Sequence, residues 1–260
     1  MHITLKAGIK ALWTAMILSI VASSCVPMKK QIYLQAEEAD STKSYSQGNS
    51  SAYVLQPGNN LYVRIVSVNE EAAEFFNFGY GSSGNIYYDA AVYLNSYSVN
   101  DSGYAELPFL GKIYLQGLTL EAAKSKVQKE IDNYLYNTMV ILKLVNYNVT
   151  VVGEVNKPGQ YKIYQDRINI YEIMSLAGDM TTFAKRNEVI LVRKTDTGSR
   201  IHKLNLLEDN IMESEYFYIM PDDIIYIQPV KGKNFAFSTF PYTLVISSIS
   251  LAIALFALLK

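Results

Sequence analysis

Few side chains in this chain are of the types that do chemistry. It holds one cysteine, Cys25, and two histidines, His2 and His202. His202 stands alone beside Lys203 on an expected strand, where an imidazole is a structural or solvated group rather than half of a catalytic pair. Glu70-Glu71 and Asp222-Asp223 are adjacent carboxylates. Acid–base work at a glycosidic bond needs two carboxyls facing one gap, whereas neighbours on a strand point to opposite faces. The first pair reads as a solvated strand end, the second as part of a turn after Pro221. Gly79 to Gly84 is glycine-rich but lacks the lysine and following helix of a phosphate-cradling loop. The residues point to no catalytic site, no metal site and no cofactor.

Tyrosine is the exception, with 21 copies beside a single tryptophan. Aromatic faces stack on sugar rings, and Tyr80, Tyr87, Tyr88, Tyr93 and Tyr97 cluster in one segment as possible sugar contacts. The simpler account is that tyrosine fills half-buried strand positions, for which its shape suits it.

The composition sets the frame for these residues. The chain has 260 residues, 50% hydrophobic and 18% charged, with a net charge of −1. That is enough apolar matter for one or two cored domains, and it lacks the basic excess of a nucleic-acid binder. One cysteine cannot form an internal disulfide.

Both ends point to a membrane. Lys6 and Lys10, the apolar run Ala11 to Ala22 and the small Ser23 and Ser24 form an export signal over residues 1–24. Val21-Ala22-Ser23-Ser24-Cys25 resembles a lipobox, which makes Cys25 the expected lipidation site. At the far end Tyr242 to Leu259 carries no charge; roughly 18 residues at ~1.5 Å each give about 27 Å, close to a bilayer core. A membrane-spanning helix is expected over 240–259, entered through Phe235, Phe237, Phe240 and Tyr242. Thr243, Ser247, Ser250, Ala254 and Ala257 recur every three or four residues, one narrow stripe on which copies of the helix can pack or a lumen can be lined.

Between the ends, residues 25–52 read as a lipid anchor and a polar tether. Tyr53 to Ile65 reads as a strand, a Pro57-Gly58 turn and a second strand with Leu61, Val63 and Ile65 on one face. Phe75 to Tyr97 is a long loop or inserted hairpin. Thr119 to Leu135 is an amphipathic helix with Thr119 as N-cap. Met139 to Val155 is strand-like, Gln160 to Tyr164 is a strand, and a short helix from Asn169 to Ala177 ends at Gly178. Strands at Glu188 to Lys194, Arg200 to Leu206 and Ile224 to Gln228 complete an α+β pattern.

Several of these pieces resemble the outer-membrane polysaccharide export proteins. They are Tyr53-Val54-Leu55-Gln56-Pro57-Gly58-Asn59-Asn60-Leu61, Gly103-Tyr104-Ala105-Glu106-Leu107-Pro108-Phe109-Leu110-Gly111-Lys112-Ile113 and Gly117-Leu118-Thr119. Val151-Val152-Gly153-Glu154-Val155-Asn156-Lys157-Pro158-Gly159, Ala177-Gly178-Asp179 and Met220-Pro221-Asp222-Asp223-Ile224-Ile225-Tyr226-Ile227 follow in the same order. Asn60 stands where that family usually has aspartate. The resemblance implies a polysaccharide-export domain over 53–147, a soluble-ligand-binding β-grasp domain over 148–232, and then the C-terminal transmembrane helix. It further implies a ring-shaped homo-oligomer in the outer membrane, lipid-anchored with its soluble domains in the periplasm. Such a ring passes capsular or exopolysaccharide outward with an inner-membrane copolymerase of the tyrosine-kinase type as partner. The rival expectation is a non-pore periplasmic lipoprotein that binds polysaccharide or a partner protein.

Overall fold

A computed structural model describes residues 28–35, 44–46, 52–77, 89–195, 198–230 and 242–258. Cys25, Tyr80, Tyr87 and Tyr88 lie outside the described residues.

The first domain grows from the alternation around Leu61. Strand β1 (Asn60–Ser67) turns Leu61, Val63 and Ile65 inward. It pairs antiparallel with β2 (Tyr97–Ser98) on one side and β5 (Thr138–Leu144) on the other, giving the order β2-β1-β5. A hairpin, β3 (Tyr104–Leu107) and β4 (Gly111–Tyr114), and helix α3 (Leu120–Ile131) close over the inner face. Thr119 caps α3 by accepting the Ala122 N–H at 3.2 Å, and Ala123, Val127 and Ile131 form its buried stripe. They meet Leu107, Ile113, Val140 and Leu142 in a single core.

Two expectations for this region need correction. Tyr53 to Gln56 forms no strand; Val54 makes an isolated bridge to Thr119 and Leu55 exchanges backbone hydrogen bonds with Leu118 and Gly117. The segment after β1 is helical where described: α1 (Glu70–Glu74), a 3-10 turn (Phe75–Asn77) and α2 (Asp89–Leu94). Glu70 and Glu71 therefore open a helix rather than end a strand. Asn69 caps that helix, and acidic residues suit its positive end. Asn77 supplies the strand pairing that is missing here: its amide oxygen accepts from Ile65 N at 2.9 Å and its Nδ2 donates to Ile65 O at 2.8 Å.

The second domain is a mixed five-stranded sheet in the order β10-β9-β12-β6-β7. Its members are β6 (Asn148–Gly153), β7 (Gly159–Lys162), β9 (Ala184–Thr195), β10 (Gly198–Leu204) and β12 (Ile224–Pro229). The central β12–β6 pair is parallel and the other pairs are antiparallel. Between β7 and β9 lie β8 (Ile168–Asn169) and α4 (Ile170–Leu176), and β8 pairs with β11 (Tyr218–Ile219). Asn169 and Glu172 form a reciprocal capping box at the start of α4. Gly153 ends β6 at φ +98°, so close to β12 that a Cβ would stand 2.0 Å from the Ile227 carbonyl oxygen.

The chain expected to be a free tether is partly folded onto this second domain. Tyr33 donates its hydroxyl to Asp179 at 2.5 Å, sets its ring edge on Tyr171, and lies under the Arg186 guanidinium at 5.4 Å. Gln35 N donates to Leu207 O at 2.6 Å, and Tyr45 donates to Asp209 at 2.5 Å. Burial and the Asp179 carboxylate push the Tyr33 hydroxyl up to about 12.

The apolar C-terminal segment forms α5 (Tyr242–Leu258), 17 residues long. Among the described residues no helix is long and apolar enough to cross a membrane, so the spanning helix expected over 240–259 is not supported there.

Candidate functional site

The strand-like run Met139 to Val155 is two strands in two sheets, and the break between them builds a groove. Val145, Asn146 and Tyr147 carry the chain from β5 to β6. Asn146 fastens this link to the first domain, accepting from Asn60 N at 2.9 Å and donating to Gly58 O at 2.9 Å. Tyr147 fastens it to the second by donating to Ile219 O at 2.5 Å, and its burial raises the hydroxyl's pKa.

A cavity of about 530 Å³ opens beside this link. That lies within the ~300–1,000 Å³ usual for ligand pockets. The first domain contributes Tyr53, Asn60, Tyr93 and Lys143; the second contributes Asn148, Lys162 to Arg167, and Tyr218 to Pro221. Lys143 reaches Asp166 across the mouth at 2.8 Å. Both side chains are more than half exposed, so the bridge itself adds little stability. The Arg167 guanidinium sits 4.5 Å from the centre of the Tyr218 ring, a preformed cation and aromatic face. Tyr164 stands on the rim at 84% exposure. Asn148 also lines the groove, and its Oδ1 is buried without a hydrogen-bond partner.

Tyr53 separates this groove from a smaller pocket of about 160 Å³ toward Arg193 and Asp222. Its hydroxyl donates to Asn59 Oδ1 at 2.9 Å and is raised by burial.

The paired aspartates divide between two environments. Asp223 is fully buried: Arg193 meets its carboxylate with Nε at 3.1 Å and Nη2 at 2.7 Å, and Met220 N donates at 2.7 Å. Burial raises its carboxyl above the usual range although the guanidinium and the amide pull it down. Asp222 turns away at φ +65° and is raised by burial more weakly opposed by Lys194. This pair ties β9 to the turn before β12. His202 stacks on Tyr216 with ring centres 4.0 Å apart.

Of the five singled-out tyrosines, Tyr93 enters the groove wall and is exposed. Tyr97 lies on β2, half-buried against the first core, as an ordinary strand tyrosine does. On α5, Thr243, Ser247, Ser250 and Ala254 follow one face and are exposed; Ala257 belongs to the same helix. Groove residues Lys143, Tyr164 and Arg167 carried no motif in the sequence. The one signal was the cluster of Tyr, Lys, Asp and Arg in the turn after β7. Among the described residues no cluster of three metal-ligating side chains occurs.

A family model described as polysaccharide biosynthesis/export protein matches residues 47–152, and one for the SLBB domain matches 147–227. The two matches meet at the link beside the groove. The chain belongs to the polysaccharide export family. Its groove thus lies between the export domain and the SLBB domain, and Lys143 and Asp166 join the two.

Proposed function

We propose that this chain is a lipid-anchored subunit of a homo-oligomeric exporter that passes capsular or exopolysaccharide from the periplasm to the cell surface through the outer membrane. The supporting observation is the order of parts: a lipobox-like run ending at Cys25, the export domain, the SLBB domain, and then an apolar helix bearing a stripe of small residues. Such a subunit does no chemistry. Its domains shape a periplasmic vestibule and dock on an inner-membrane copolymerase, while copies of α5 gather at the membrane. Thr243, Ser247, Ser250 and Ala254 give the close approach that neighbouring copies need.

A second reading is a non-pore periplasmic lipoprotein of the same family, since among the described residues no helix is long and apolar enough to cross a membrane. An epitope tag after Lys260 separates the two. Antibody access on intact cells is expected for the exporter. Access only after permeabilisation would overturn the pore and leave the periplasmic lipoprotein. Within the exporter, Ser250→Leu is expected to cut oligomer yield and export severalfold, and Leu251→Ala to leave both near wild type. Equal behaviour of the two variants would remove the stripe from the account.

A further inference from the structure

We infer that residues 28–35 form a strap with two positions on the SLBB domain, one closed as described and one lifted. The Asp179 carboxylate passes from Tyr33 to Arg186 as the strap lifts. The inference stands on the contacts of this segment and is independent of the export reading.

The closed strap carries an internal conflict. Arg186, on β9, is only 7% exposed. Its Nη2 donates to Met180 O at 3.1 Å, while Nε and Nη1 are buried and make no hydrogen bond. Among the described residues no carboxylate forms an ion pair with it. Further along the same strand Arg193 shows the satisfied arrangement, with the Asp223 carboxylate 2.7 Å away. The Arg186 charge rests instead on the Tyr33 ring, 5.4 Å from its guanidinium carbon. A buried donor without a partner has lost its hydration and regained nothing, and a buried cation without a counter-charge is costlier still.

Asp179 is the counter-charge that the closed strap withholds. Its Oδ1 accepts the Tyr33 hydroxyl at 2.5 Å and Met180 N at 2.7 Å. Met180, whose carbonyl holds Arg186, is the next residue in the chain, so carboxylate and guanidinium flank one turn. Lifting removes the phenol that engages both. Asp179 then turns to Arg186, and Nε and Nη1 meet water or carboxylate. Closure has few contacts to set against this: the Asp179 hydrogen bond, the ring edge on Tyr171, and backbone bonds from Leu34 to Leu206 O and from Gln35 to Leu207 O. Ile32 and Leu34, on either side of Tyr33, stay exposed and add little burial. A short segment held this lightly opens before the sheet beneath it unfolds. Two exclusive partners for one carboxylate make the positions discrete.

The test is hydrogen exchange on the full-length protein in detergent, read by mass spectrometry on the peptide covering residues 28–35 and on peptides of β6. The strap is expected to exchange about a hundredfold faster than β6. Tyr33→Ala is expected to abolish the strap's protection. Arg186→Met removes the stranded donors and is expected to slow strap exchange about tenfold. Asp179→Asn keeps an acceptor for Tyr33, tolerates the left-handed backbone at φ +66°, and takes away the charge offered to Arg186. It is expected to slow exchange about threefold. Unchanged or faster strap exchange in Arg186→Met would make the guanidinium a bystander or a fastener and overturn the inference. If Arg186→Met lowers the melting temperature, Asp179→Asn decides, and exchange at or above the wild-type rate overturns it. A strap that exchanges at the rate of β6 opens only with the whole domain, which would overturn the two positions.

Discussion

The export domain closes a three-stranded sheet with helix α3 and the β3–β4 hairpin, and the one buried polar side chain among its described residues is Asn59. The SLBB domain has a larger sheet with Glu154, Arg186, Asp209 and Asp223 all buried in it. The first is held by apolar packing and leaves Phe75, Phe109 and Tyr134 exposed around its hairpin tip, Phe109 in left-handed backbone at φ +59°. The second is held by packing plus fixed polar ties. Apolar packing degrades gradually as atoms are removed, whereas a buried charge that loses its partner is left at full desolvation cost. The two halves should therefore fail differently.

The sharpest separation is at Gly153. Gly153→Ala puts a methyl 2.0 Å from the Ile227 oxygen and forces the central parallel pair apart. It is expected to cost about 4 kcal/mol or more. Hydrogen exchange should rise at Val149 and Val151 while Val63 and Ile65 in the export domain stay protected. Equal loss in both domains would show that they unfold as one unit.

Arg193→Met should cost about 3 kcal/mol, because it strands the buried Asp223. Arg193→Met with Asp223→Asn should recover most of that in urea unfolding. A harmless single substitution would mean the polar tie is not what distinguishes the SLBB domain. In the export domain, Val127→Ala should cost about 2 kcal/mol by leaving a cavity under α3, with little dependence on pH.

The smallest effect concerns pH. Hydrogen bonds from Lys185 and Lys203 hold Glu188 on β9 at about 2, below its ordinary 4.5. A lowered folded pKa gives stability that is present above 4.5 and lost as pH falls toward 2. The melting temperature of Glu188→Gln should thus approach that of the wild type as pH falls through this window. A difference that stays constant with pH would remove the ion pairs as its cause.

Local rules written into short stretches were legible in the sequence. Thr119 and the stripe Ala123, Val127 and Ile131 announced α3, and Asn169 with Gly178 bracketed α4, because capping and helical spacing act within a few residues. Leu61, Val63 and Ile65 announced β1 for the same reason. What failed depended on distant partners. Met139 to Val155 is dominated by Val, Ile and Leu, and no local rule within it marks the change of sheet at Asn146, whose amide grips Gly58 and Asn60. Asp223 looked like a turn residue; its burial follows from Arg193 thirty positions earlier. Tyr33 stands between Ile32 and Leu34, just before the polar stretch, and gave no local hint of Asp179 and Arg186. The groove combines residues from seven separate segments, so no spacing rule could assemble it.

The docking of residues 28–35 also decides where a mechanical load travels. Eight residues separate Cys25 from Tyr33, a leash of at most about 28 Å. A pull on the N-terminal end reaches the Tyr33 contacts and the Gln35–Leu207 hydrogen bond before it reaches anything in the export domain. The SLBB domain thus meets such a load first.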